Sequence, residues 1–164
     1  MLSIVPPLLF WAVSHNSPMQ DFRNLDVWHK AHELSLDVHR TLVRHRRVDA
    51  HLRSQMTRAA RSIPSNLVEG CGADSQAELA RFAGMSISSS SDLEYWVLCA
   101  SDLGYFGDSD FERLTANTVE VRKMLFGLRK AIRKAIREGT SLPFQTPSRP
   151  RATTSVPLEP PTTI

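Results

Sequence analysis

The chain has 164 residues, 41% of them hydrophobic and 23% charged, with a formal net charge of +3. That size and balance describe one globular domain with a buried core and flanking tails, and exclude a collagenous or wholly disordered chain. Two cysteines, Cys71 and Cys99, exclude a disulfide framework and read as small hydrophobes in a reducing compartment.

The charge is less even than its sum. Residues 39–61 carry seven arginines against Asp49, residues 69–120 carry ten acids against Arg81 and Arg113, and residues 121–138 carry seven bases against Glu138. Blocks of this kind suit contact with a polyanion, head-to-tail self-association, or both.

In chain order, residues 1–18 open with the apolar run MLSIVPPLLFWAV, interrupted by Pro6 and Pro7 and with no basic residue before Arg23. It fits neither a secretory signal nor a span of about 20 apolar residues. Met19 stands just ahead of the first patterned segment, so 1–18 read as an extension upstream of a natural start at Met19. The expectation is a cytoplasmic protein without membrane contact.

A first helix is expected over residues 24–45, with Leu25, Trp28, Ala31, Leu34, Val38 and Leu42 as its buried stripe and Trp28 as its large anchor. His29, His32 and Glu33 share one turn, but no second half of a metal site exists elsewhere; they read as helix-surface residues, and no metal or cofactor is expected. A short basic link over residues 44–50 follows.

The second helix, residues 49–68, repeats Leu52, Met56, Ala59, Ile63 and Leu67 at steps of three or four. Pro64 falls inside it, where a proline costs roughly 3 kcal/mol. The apolar face keeps its phase across Pro64, which favours one kinked helix, with Ser62 or Ser65 satisfying the freed carbonyls, over a restart at Ser62. Gly70 and Gly72 then supply residues able to take positive φ.

The third helix opens on a capping box, Ser75 with Glu78. Its seam is Leu79, Phe82, Ser86, Ser89, Leu93, Trp96, Ala100 and Leu103, with Ser86 and Ser88 to Ser91 as small packing residues, and Gly104 and Gly107 close it. A second box, Ser109 with Glu112, starts the fourth helix. Phe111, Leu114, Val121, Leu125, Leu128, Ile132 and Ala135 face inward, widened by Met124 and Ile136. At 100° per residue, Arg122, Lys123, Arg129, Lys130, Arg133, Lys134 and Arg137 fall within an arc of about 140° on the other side. Residues 139–164 are rich in proline, threonine and serine and read as a disordered tail. Four capped helices on short links make an all-α, antiparallel up-down-up-down four-helix bundle over residues 19–138.

No phosphate-binding glycine loop, paired ligand motif or activated nucleophile appears, so a non-enzymatic protein is expected. Arg40, Arg44, Arg46, Arg47, Arg53 and Arg61, with the basic arc of the fourth helix, suit RNA or DNA phosphates. Arginine, at sixteen against four lysines, favours bidentate contact. No aromatic platform is read among these cations, which points to backbone contact without base stacking. The alternative is a structural or protein-interaction module whose acidic and basic faces pair between subunits.

Three blocks, DFRNLDVWHKAHEL at residues 21–34, QMTRAARSIPSNLVEG at 55–70 and SDLEYWVLCASDLGYF at 91–106, resemble the small bacterial four-helix-bundle family of proteins encoded in intervening sequences of 23S rRNA genes. A more distant likeness is to the accessory variability protein of diversity-generating retroelements. The likeness covers residues 21–134 and departs from the family pattern at Thr57 and Arg61. It implies a ring-like homo-oligomer, with a pentamer favoured. Its distant branch implies a basic surface that binds RNA and DNA and docks a reverse transcriptase. Trp28, Arg58, Pro64, Glu69 and Glu94, which lie within the blocks, are assigned to fold and subunit interface.

Overall fold

A computed structural model describes residues 21–140. The readings of residues 1–18 and of the tail past 140 lie outside the described residues. A 3-10 turn, Phe22–Asn24, leads into α1 (Asp26–Arg44), α2 (Ala50–Cys71), α3 (Gln76–Asp102) and α4 (Asp108–Glu138). Each helix packs on the next, α4 returns against α1, and the backbones of the two diagonal pairs stay apart. With short links, this is the expected antiparallel bundle. Its core is continuous, from Leu34, Val38 and Leu42 of α1 through Met56, Ile63 and Leu67 of α2 to Leu93 of α3 and Leu125 and Ile132 of α4. Each such side chain contributes about 1.5–3 kcal/mol by leaving water.

The helix ends follow local chemistry. Asp49 caps α2, its carboxylate accepting from the Leu52 amide at 2.9 Å. Ser75 caps α3 by accepting from the Glu78 amide at 3.2 Å, but Glu78 turns to Arg81 at 2.8 Å, so only half of the expected box forms. The Ser109 box does not form. α4 starts two residues earlier than that box requires, at Asp108, behind Gly107 and without a side-chain cap, and the Asp108 and Asp110 carboxylates complement its positive end.

α2 runs unbroken through Pro64. The polar groups around the proline differ from those expected. Asn66 donates to the Ser62 carbonyl at 2.8 Å and to its hydroxyl at 3.1 Å, Ser89 donates to the same hydroxyl at 3.0 Å, and Ser86 of α3 donates to the Ile63 carbonyl at 2.9 Å. Ser62 therefore accepts, and Ser65 donates away to Glu69 at 3.4 Å. Among the described residues no bond from either serine reaches the Ala60 carbonyl that Pro64 leaves without its helical donor; Ser86 and Ser89 instead fasten α2 to α3 beside the proline.

Gly70 and Gly72 do not take positive φ; that conformation belongs to Gly104 (φ 72°) and Gly139 (φ 63°), which end α3 and α4. Gly70 lies inside α2, where a Cβ would stand 2.9 Å from Leu79 Cδ1 and Phe82 Cβ, so its missing side chain lets α2 approach α3. Next to it, Cys71 is buried, and burial, with a smaller contribution from the Asp21 carboxylate, pushes its thiol up to about 11. It is an inert core thiol.

The buried face of α3 is broader than the seam read from spacing. Ala80, Ala83, Ile87, Ser90 and Val97 are buried with Leu79, Ser86, Leu93 and Ala100, while Phe82, Ser89 and Trp96 are half-buried and Leu103 is exposed. The cause is that α3 lies between α2 and α4 and must bury a flank on each.

Candidate nucleic-acid interface

The basic residues are spread along the bundle: Arg40, Arg44, Arg46, Arg47 and Arg53 gather at one end, Arg129, Lys130, Arg133, Lys134 and Arg137 toward the other, and Arg61, Arg122 and Lys123 lie between. At one end the C-terminus of α1 meets the start of α4: the His45 ring packs 5.2 Å from that of Phe106, and Arg44 reaches Asp110 at 3.0 Å. At the other, Gln76 at the start of α3 donates to the carbonyl of Thr140, just past α4, at 3.3 Å. With α2 spanning 22 residues, the two ends stand about 33 Å apart.

At the α1–α2 end the arginines divide by partner. Arg53 donates to the carbonyls of Leu42 at 2.7 Å and His45 at 3.1 Å, closing the end of α1. Arg44 is held by Asp110 and by the Thr41 hydroxyl. Around Asp110, burial raises the carboxyl pKa, but hydrogen bonds from His45 (2.7 Å) and Arg113, with the Arg44 charge, outweigh it and hold the group at about 2. Arg113 also pairs with Asp37. Arg40, Arg46, Arg47 and Arg61 are exposed and have no ion pair among the described residues. Arg40 lines a cleft of about 460 Å³ between α1 and α4, but Glu33, Asp37 and Glu120 line it too, so it offers an anion little. A shallower groove of about 400 Å³ runs along α2 past Thr57, Arg58 and Arg61, the two family departures included.

The α4 arc keeps more of its charge free. Arg122 is taken by Glu94 of α3, both half-buried. Lys134 reaches Glu138 one turn on, at 3.8 Å. Lys123, Arg129, Lys130, Arg133 and Arg137 have no acidic partner among the described residues. Arg129 lies over Gly84, whose missing side chain leaves room for it, since a Cβ there would stand 3.4 Å from the guanidinium carbon.

Sequence reading missed one member of this face. Phe126 is 53% exposed, does not support the core, and sits four residues from Arg122 and Lys130 and three from Lys123 and Arg129. An aromatic therefore does stand among the cations, contrary to the expectation. The signal was available, because at 100° per residue position 126 falls inside the same arc.

Of the residues assigned to fold and interface, Pro64 is buried and Glu94 ties α3 to α4. Trp28 is half-buried against the core, with Phe22 at 4.7 Å and His32 stacked at 5.2 Å. Arg58 and Glu69 are exposed and enter no ion pair within the described chain. His29 donates to the Arg23 carbonyl at 2.7 Å. Among the described residues, no group of side chains is placed to hold a metal, and no helix is long and apolar enough to cross a membrane.

A family model described as 23S rRNA-intervening sequence protein matches residues 23–127. Among solved structures, the chain is similar to a protein of unknown function from the S23 ribosomal protein family of Bacteroides thetaiotaomicron. The identity is 21% and the TM-score 0.59, over 63% of this chain and 98% of that one. At this identity the likeness bears on the fold. No curated protein matches.

Proposed function

This chain belongs to the 23S rRNA-intervening sequence protein family, and from that premise we propose that it is a non-enzymatic, self-associating helical bundle that binds RNA or DNA through the basic face of α4. The observation that carries the reading is the set Lys123, Arg129, Lys130, Arg133 and Arg137, five cations on one helix face with no acidic partner among the described residues. Such a face holds a condensed phosphate backbone by releasing its counterions, with an affinity that falls steeply in salt and is largely blind to sequence. The arginines Arg40, Arg46 and Arg47 form a second, weaker pole at the far end, with Arg61 partway along α2. Arg44, Arg53 and Arg122, engaged within the fold, position helices and do not serve the ligand.

The test is fluorescence anisotropy of the full chain with labelled RNA and DNA, single-stranded and duplex, across salt. Changing Arg129, Lys130, Arg133 and Lys134 together to glutamine is expected to flatten the salt dependence by about 0.7–0.9 log unit per lost phosphate contact. Absence of binding at about 50 mM salt, or an unchanged slope in the variant, refutes the reading.

Arg58 and Glu69 favour self-association as a further part of the proposal. They are a cation and an anion exposed on the same helix and outside every ion pair among the described residues, Glu69 accepting a bond from Ser65, and a second copy supplies the complement.

A further inference from the structure

We propose that the α4 face is a single-strand site, in which Phe126 stacks a nucleobase while the cations on either side hold the flanking phosphates. The proposal rests on the nucleic-acid reading above and names the substrate class of the same surface. Among the described residues two aromatics are strongly exposed, Tyr95 at 57% and Phe126, and Phe126 is the one that lies among the cations. At 53% exposure it leaves most of a large apolar ring in water, and it contributes nothing to the core that Phe111 and Met124 of the same helix help to close. Single exposed apolar side chains are common on protein surfaces, and Phe126 has no packing against the core to offset its exposure.

Its neighbours supply the compensation. Arg129, one turn toward the C-terminus, is seated over Gly84 with its guanidinium Nε buried and lacking a hydrogen-bond partner. Lys130 continues the same flank, and Lys123 lies one turn the other way. An aromatic ring bracketed by unpaired cations at three- and four-residue spacing gives both halves of single-strand recognition on one helix: a π-face for a base and positive charge for the phosphates beside it. Duplex nucleic acid keeps its bases stacked inside, so it meets only the cations. The ring therefore separates single strands from duplexes while the cations do not.

The full chain is assayed with a 12-nucleotide single-stranded RNA, the same RNA as a duplex, and an abasic single strand of equal length. Phe126→Ala is expected to weaken the single strand by about 5- to 150-fold, the worth of one base-aromatic stack, while leaving the duplex affinity, the abasic affinity and every salt slope within twofold. Phe126→Trp is expected to restore binding and to add an indole emission quenched by the single strand. Because Phe126 lies outside the core, retained duplex binding also reports that the fold survives. Equal single-strand affinity in Phe126→Ala, or abasic RNA bound as tightly as intact RNA by the unmodified chain, overturns the stacking role and leaves the polyanion reading standing. No binding of any of the three by the unmodified chain overturns both.

Discussion

Gly70 shows how much a single absent atom decides in this fold. Glycine inside a helix is about 1 kcal/mol worse than alanine, so Gly70→Ala would stabilise α2 if only the helix mattered. The added Cβ, however, meets Leu79 Cδ1 and Phe82 Cβ at 2.9 Å, and overpacking of that kind costs about 1–3 kcal/mol. Gly70→Ala is therefore expected to lower stability by up to about 2 kcal/mol, read as a lower urea midpoint at unchanged slope; a gain would show that α3 yields freely. The glycine itself was visible in the sequence as a helix breaker, but its real task depends on which residues α3 brings opposite. The same limit explains the cations. Arg44, Arg53 and Arg122 are indistinguishable from Arg46 or Arg133 until Asp110, the end of α1 and Glu94 are placed beside them.

At the level of elements, periodicity located all four helices, and it carried α2 through Pro64 because the apolar phase did not change there. It narrowed α3 too far, since small residues such as Ala83 and Ser90 give little apolar signal yet are buried on the flank toward a second neighbour. The join between α1 and α4 was not legible, because it is made by Asp37, Thr41, Arg44 and His45 on one side and Asp110 and Arg113 on the other. It gives a pH dependence whose sign is fixed. Asp110 is held at about 2 in the fold, below the ordinary aspartate value near 3.9, so its contribution is complete above about pH 4 and is lost as pH falls toward 2. The unfolding free energy of the unmodified chain, read from urea titration, should exceed that of Asp110→Asn at pH 6 by about 2 kcal/mol, and the gap should close by about pH 2. A gap that stays constant would show that the carboxylate's charge is not what joins the two helices.

For the whole molecule, the bundle carries exposed cations toward both of its ends, which stand about 33 Å apart, so a long polyanion can touch both and a short one cannot. Self-association belongs at this scale. Glu69→Ala is expected to shift the solution mass at fixed concentration toward smaller species, measured by light scattering, while leaving the thermal midpoint within a few degrees; an unchanged mass excludes Glu69 from the interface. The closure of α1 by α4 also has a consequence for how the protein is made. The ties between these helices join residues 65 to 76 apart in the chain, and a ribosome adds about 5–20 residues per second, N-terminus first. For several seconds of every synthesis α1 has α2 on one flank and nothing on the other, and its apolar stripe is shut away only when the last helix emerges.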